Sequence, residues 1–352
     1  MTNYIKKDIR TLSVQDLKVF FDSNNIETYR ANQIYEWLWV KGVSDFNLMT
    51  NLSIDFRKFL QKYFTINNIK VESIQKSIDG TIKNAVKLYD NKIVESVLIP
   101  TKNRITACIS SQVGCSLNCK FCATSKLKRL RNLNVDEIFD QVKFIDNQSK
   151  SFYNRPITNI VYMGMGEPLM NYENVIKSIE KITSKSGLGF SPRRITVSSV
   201  GFPKFIKKMA DQKIKFNLAI SLHSAIQSVR EFLMPFSNKI LIEDLIDSLR
   251  YWINIKKSII TFEYIVFDGI NDSEKDIIEL IKICKKIPSK VNLIQYNSIN
   301  DDNFRNASIK SINRYSKLLS ENNIINTIRK SRGDDIDAAC GQLANNTLNL
   351  KN

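Results

Sequence analysis

The run Gly114-Cys115-Ser116-Leu117-Asn118-Cys119-Lys120-Phe121-Cys122 decides how the rest of the chain is read. Three of the six cysteines stand here, at Cys-x3-Cys-x2-Cys spacing. Thiolates are soft ligands suited to iron–sulfur clusters, zinc and Cu(I). A tetrahedral zinc site or an ordinary cubane wants four protein ligands, and here three are close in sequence. Three thiolates are used most simply by a [4Fe–4S] cluster with one iron left open, able to chelate a small molecule and pass it an electron. Zinc, with Cys108 or the lone histidine His223 as fourth ligand, is the competing use of the same triplet.

Outward from this run, strands alternate with helices. From about residue 104 the candidate strands are Ile105–Ser110, Asn159–Met163, Arg194–Val200, Phe216–Leu222, Ile259–Phe267 and Val291–Tyr296. Between them lie the helical stretches Val135–Asn147, Asn174–Ser184, Pro203–Asp211, Ile242–Ile255, Ser273–Lys286 and Ile309–Glu321. Such alternation predicts an α/β fold, a parallel sheet with helices outside. A full eight-unit barrel takes roughly 250 residues; six units predict an incomplete (β/α)6 TIM-like barrel. Chemistry in such barrels sits at the C-terminal strand ends, and the cysteine run follows the first strand.

Other candidate residues fall at the same end. Met163-Gly-Met-Gly-Glu-Pro-Leu follows the second strand; its glycines, Gly166 among them, let backbone approach a ligand, and Glu167 can bond an ammonium group. Ser198 ends the third strand, Ser221-Leu222-His223 the fourth, and Asn297 the sixth. Polar residues there serve either as turn formers or as the lining of a pocket for a polar ligand. Cys108 lies in the first strand. Cys340 lies in the loop Arg332-Gly-Asp-Asp-Ile-Asp-Ala-Ala-Cys-Gly-Gln-Leu, where a thiol is a candidate nucleophile. Cys284, in a helix, is read as idle.

Residues 1–70 read as a small helical module, with a cap at Ser13 and Asp16 three residues on, and Ile34, Trp37 and Leu38 on one side of a second helix. It is either an RNA-docking element or a packing cap on the barrel. Residues 71–100 read as a hairpin turning at Tyr89-Asp-Asn-Lys, with Glu95 inside the apolar second strand, facing water or acting as an inward base. The core spans 101–335 and a loop and tail 336–352. Lys and Arg number 52 against 35 Asp and Glu, a net charge of +17 that points to a polyanionic partner, nucleic acid first. Lys120, Lys126, Lys128, Arg129 and Arg131, and separately Lys204, Lys207 and Lys208, form basic groups suited to phosphates. The beginning of the chain lacks a signal-type apolar run and no stretch spans a bilayer, so a cytoplasmic protein with no membrane partner is expected.

Taken together, Val94-Glu95-Ser-Val-Leu-Ile-Pro, Cys108, the cysteine triplet with Phe121, Met163-Gly-Met-Gly-Glu-Pro-Leu and the segment around Cys340 resemble the RlmN/Cfr family of radical S-adenosylmethionine (SAM) RNA methyltransferases over nearly the whole chain. The resemblance implies a barrel of radical SAM type, with Cys115, Cys119 and Cys122 holding the cluster. It implies that Gly166, Glu167, Ser198, Ser221, Leu222, His223 and Asn297 bind SAM. It further implies methylation at C2 of an adenine in 23S rRNA and of the adenine beside the anticodon in tRNAs. C2 is electron-poor and beyond ordinary polar transfer. By resemblance, Cys340 first takes a methyl from one SAM. A second SAM, cleaved at the cluster, gives the radical that removes hydrogen from that methyl, so two SAM are used per turnover. The carbon radical adds to C2, a base takes the C2 proton, and Cys108 attacks Cys340 to release product as a disulfide. The family gives the proton to the position of Glu95, with Cys108 a physical competitor. A flavodoxin- or ferredoxin-like electron donor and a monomer are expected. Pro168, after Gly166-Glu167, favours the C2 branch over the C8-methylating Cfr type. Ser198-Ser-Val-Gly departs from the usual Ser-Thr-Ser-Gly, and the loop after Met234-Pro-Phe is short. A non-catalytic zinc protein that binds RNA is the alternative of a different class.

Overall fold

The computed structural model describes residues 6–213, 215–299 and 303–345. Its first part is helical: α1 (Val14–Asp22), α2 (Arg30–Tyr35) and α3 (Ile54–Tyr63). Ser13 and Asp16 form the expected reciprocal cap on α1. Beyond α2 the chain widens into a π-helical turn over Glu36–Val40. That shift buries Trp39, with Ile34 and Leu38, and leaves Trp37 half-buried under the Lys41 ammonium, so the apolar side differs from the expected one by one residue.

Among the described residues the main sheet has ten strands, each beside its neighbour in chain order within that sheet. Strands β1 (Lys70–Lys76), β2 (Ile82–Lys87) and β3 (Ile93–Pro100) form an antiparallel meander, so residues 71–100 hold three strands where a hairpin was expected. β1 lacks an apolar run; it alternates exposed and half-buried side chains and is rich in charge, as edge strands are. β3 pairs antiparallel with β4 (Ile105–Cys108), setting Val97 opposite Cys108. From β4 onward every pairing is parallel, through β5 (Asn159–Tyr162), β6 (Ile195–Ser199), β7 (Asn217–Ser221), β8 (Ile260–Ile265), β9 (Ser289–Ile294) and β10 (Ile325–Arg329).

Helices α4 (Val135–Tyr153), α5 (Tyr172–Thr183), α6 (Pro203–Ala210), α7 (Ile242–Lys256), α8 (Glu274–Lys286) and α9 (Ile309–Glu321) follow β4 to β9 in turn. This is the incomplete (β/α)6 barrel expected, extended by the meander on one side and by a seventh parallel strand on the other. β10 was missed because Ile325 and Ile328 point outward and Asn326, Thr327 and Arg329 interrupt any apolar run. The inner strands are buried on both faces, as in β8 where all six residues are buried. The helical module packs on α4: Arg10 reaches Asp140 and Asp136 at 2.8 and 3.1 Å, and Trp39 meets Phe139 edge-on at 5.1 Å. It therefore acts at least as a packing cap. Among the described residues no helix is long and apolar enough to cross a membrane.

Candidate active site

One cavity opens at the C-terminal ends of the parallel strands. Cys115, Cys119 and Cys122 line it, as do Gly166, Glu167, Ser198, Ser221, His223, Cys108 and Cys340. Three expected residues do not line it: Leu222, Asn297 and Glu95.

The cysteine loop is shaped by local backbone demands. Gly114 takes a φ of +73°, and a Cβ there would stand 2.3 Å from the Lys128 carbonyl oxygen, so no side chain fits. The Cys122 N–H donates to the Cys119 carbonyl at 3.2 Å, and the Lys120 N–H donates to Leu233 at 3.0 Å. Phe121 packs edge-on against the His223 ring at 4.8 Å. Burial pushes the Cys115 thiol up to about 11 and the Cys119 thiol well above its usual range, and the neighbouring sulfurs add to both shifts. Such desolvated thiols ionise readily only against a metal. The donor set of three soft sulfurs on an otherwise apolar wall therefore fits a cluster. His223, a fourth-ligand candidate for zinc, accepts the Ile265 N–H on Nδ1 at 3.2 Å. Burial, with the Arg230 charge, depresses it to about 3, so the ring is neutral.

Beyond β5 the chain turns through Gly166, at φ +95°, where a Cβ would lie 2.4 Å from Gln112 Cβ. Gln112 fixes the next residue by accepting the Glu167 N–H at 2.8 Å. The Glu167 carboxylate is buried and accepts the N–H groups of Leu169 and Val200 at 2.8 and 3.0 Å. Desolvation nonetheless raises it to about 7, the two amides pulling the other way. A carboxylate this poorly solvated gains more than an exposed one from a cationic ligand. Leu222 is fully buried behind the wall, where its N–H donates to Glu263.

Cys340 sits on a loop strapped across the cavity. Asn297 Nδ2 donates to the Cys340 carbonyl at 3.0 Å. The Ala123 N–H donates to Gly341 at 2.7 Å, and Thr124 Oγ1 to Leu343 at 2.5 Å. Residue Cys340 is exposed through the cavity it lines. Its thiol is nonetheless sunk among protein atoms: burial raises its pKa, and the Arg329 guanidinium opposes that rise. Cys108 is buried in β4, its thiol pushed up to about 12 by desolvation and by the nearby Cys340 sulfur. Glu95 faces neither water nor the cavity. Its side chain is fully buried against Lys83 and the tail, accepting the N–H groups of Ala344 and Asn345.

Two charged lining residues escaped the sequence reading. Glu263, in the apolar run of β8, carries the signal that singled out Glu95, a carboxylate at an inward position. Arg329 ends the overlooked β10. The basic groups also need revision. Arg131 is committed to Asp90, 41 residues away, and to Glu137, six residues on, at 2.8 and 2.7 Å, and Lys208 pairs with Glu173 at 2.6 Å. Lys120 lies over the exposed Phe232 ring, 3.9 Å from its centre.

A family model described as the radical SAM superfamily matches residues 109–281. One described as the ribosomal RNA large subunit methyltransferase N-terminal domain matches residues 7–66. Radical SAM chemistry uses SAM and an iron–sulfur cluster. A protein of Flavobacterium psychrophilum named "Probable dual-specificity RNA methyltransferase RlmN" is 57% identical over 97% of this chain and 99% of its own. The dual-specificity RNA methyltransferase RlmN of Geotalea uraniireducens is 39% identical over 96% of each. The crystal structure of a radical SAM methyltransferase from Sphaerobacter thermophilus superposes with a TM-score of 0.89 at 34% identity, over 96% of this chain and 99% of that one. The strand order, the cysteine-lined cavity and these likenesses agree: the chain belongs to the RlmN family of radical SAM RNA methyltransferases.

Proposed function

We propose that this enzyme methylates C2 of adenine in 23S rRNA and in tRNA, beside the anticodon, through a methyl carried on Cys340, using two SAM per turnover. The observation that carries the reading is the meeting of two thiols, Cys340 and Cys108, with the cysteine triplet in one cavity, although they come from opposite ends of the barrel sequence. Cys115, Cys119 and Cys122 would hold the cluster, and bound there it supplies the electron that cleaves SAM. Gly166, Glu167, Ser198, Ser221 and His223 line the same cavity and would receive SAM, Glu167 taking the ammonium group. Leu222 and Asn297 would act from behind, one through backbone and one by fixing the Cys340 loop.

Cys340 would accept the methyl by displacement, with Arg329 favouring its thiolate. Once the carbon on the Cys340 sulfur is bonded to C2 and the C2 proton is gone, the Cys108 thiolate would attack that sulfur: the S–S bond forms, the S–CH2 bond breaks with its electron pair on the carbon, and the carbon takes a proton to become the methyl of the released product. Glu95 does not line the cavity while it holds the tail, so its service as acceptor of the C2 proton requires that the tail let go. The net charge of +17 supports an RNA partner. A flavodoxin- or ferredoxin-type donor, a monomeric state and a cytoplasmic setting complete the reading.

The test is anaerobic turnover with methyl-labelled SAM and protein-free rRNA or tRNA, followed by nucleoside and peptide mass spectrometry. Label on Cys340 and then in 2-methyladenosine is expected. 8-Methyladenosine as main product would move the enzyme to the Cfr type, and a Cys340→Ala protein that still methylates RNA would remove the carrier role.

A further inference from the structure

Arg230, on the short helix Gln227–Leu233, has no exposed surface. A guanidinium so placed ordinarily pairs with a carboxylate, because an uncompensated buried charge is strongly destabilising. This one does not. Nη2 donates to the Val200 carbonyl at 2.6 Å. Nε and Nη1, also buried, have no hydrogen-bond partner among the described residues. Its charge acts on the His223 ring and the Cys119 thiol, both of which line the cavity.

The local packing delivers the guanidinium behind the cysteine loop. The helix ends at Leu233, whose carbonyl accepts the Lys120 N–H at 3.0 Å. Leu233 and Met234 share an apolar cluster with Cys115, Cys119 and Phe121. Val200 ties the same arginine to Glu167, since its N–H donates to that carboxylate at 3.0 Å while its carbonyl takes Nη2. A protonated thiol is no counter-ion for an arginine. Three thiolates on a [4Fe–4S] core are one: the assembly is net negative, and reduction adds a further negative charge. Net charge and hydrogen bonds to the sulfurs are among the levers that set such a cluster's potential.

We propose that Arg230 is the built-in counter-charge of the metal centre, a positioning residue that keeps the cluster reducible by favouring its more negative, reduced form. The proposal rests on the cluster reading above, and the two fail differently: wild-type protein without iron and sulfide ends the cluster reading, whereas the outcomes below address Arg230 alone.

The experiment compares anaerobically reconstituted wild type, Arg230→Lys and Arg230→Gln by mediated redox titration followed by electron paramagnetic resonance. Glutamine keeps a donor for the Val200 carbonyl and loses the charge; lysine keeps the charge. At a fixed potential the ratio of reduced to oxidised cluster is expected to fall at least tenfold in Arg230→Gln, which for one electron is 59 mV, with iron and sulfide as in wild type and Arg230→Lys within about threefold of it. A cluster lost in Arg230→Gln and kept in Arg230→Lys also supports the proposal. An unchanged potential in Arg230→Gln, equal shifts in both variants, or loss of the cluster from both overturns it in favour of a scaffold role.

Discussion

The Glu95 carboxylate grips the Ala344 amide: Oε2 accepts its N–H at 2.9 Å, although the two residues are 249 apart in sequence. The same oxygen takes the Asn345 N–H at 3.2 Å, and Oε1 lies 3.7 Å from the buried Lys83 ammonium. Glu95→Ala strands Lys83 and frees the tail. Breaking a buried pair from one side costs roughly 3–5 kcal/mol, so a lower melting temperature is expected, together with faster amide exchange over residues 338–345. Glu95→Gln keeps an acceptor for the tail and should fall between. Exchange in Glu95→Ala as slow as in wild type would mean the latch is immaterial.

Asn297 spends its amide on the Cys340 carbonyl at 3.0 Å. Asn297→Ala should cost about 1 kcal/mol of loop order, lowering the rate of methyl transfer to Cys340 by about fivefold with little change in melting temperature. Equilibrium dialysis against labelled SAM decides how it acts. Unaltered SAM affinity means that Asn297 acts through the Cys340 loop, and a loss as large as the rate loss means that it acts on SAM directly.

Glu167 titrates near 7 because it is buried. An ammonium ligand binds the ionised form, so SAM affinity should rise several-fold from about pH 6 to about pH 7.5, and Glu167→Gln should flatten that rise. Without ligand the sign is opposite. The folded pKa lies above the ordinary 4.5, so the folded state holds this proton more tightly. Its contribution to stability is full below the ordinary value and is lost as pH climbs through about 7. Calorimetric titration and thermal melts across that range check both arms.

Arg10 sits among Asp8, Asp136 and Asp140, with Asp136 and Asp140 on the first barrel helix. Removing it leaves carboxylates buried together, and burial already lifts Asp140 to about 6. Arg10→Met should therefore loosen the helical module by roughly 3–5 kcal/mol, seen as early proteolysis within residues 6–66 while the barrel remains intact. Simultaneous loss of both parts would show a single cooperative unit instead.

The strands from Ile105 to Ile294 were legible because their apolar runs are buried on both faces and bounded by turn residues. β10 was not, since an edge strand with one protected face carries no such run. The cavity's glycines and serines could be read from their place after strands. Glu263 carried the same signal as Glu95, a carboxylate within an apolar strand, and went unused, whereas Arg230 was hidden in a short helix whose sequence, Gln-Ser-Val-Arg-Glu-Phe-Leu, looks like any solvated turn. Glu95 stands out in its apolar strand, yet it faces neither water nor the cavity: the tail amides it holds come from the far end of the chain, and no local pattern encodes them. Arg131 misled in part for the same reason: Asp90 is 41 residues away, while Glu137, six residues on, lies just beyond the basic run.

The Cys340 loop is pinned at the meander by Glu95, at the helix after the cysteines by Ala123 and Thr124, and after β9 by Asn297. These anchors belong to three separate stretches of the sheet's rim, so the loop works as a drawn bolt across a doorway. Under the proposed mechanism a nucleobase would have to share that doorway with the bolt, so each catalytic round would withdraw and reseat it. Turnover would then keep time with that mechanical cycle rather than with how fast nucleic acid diffuses to the surface.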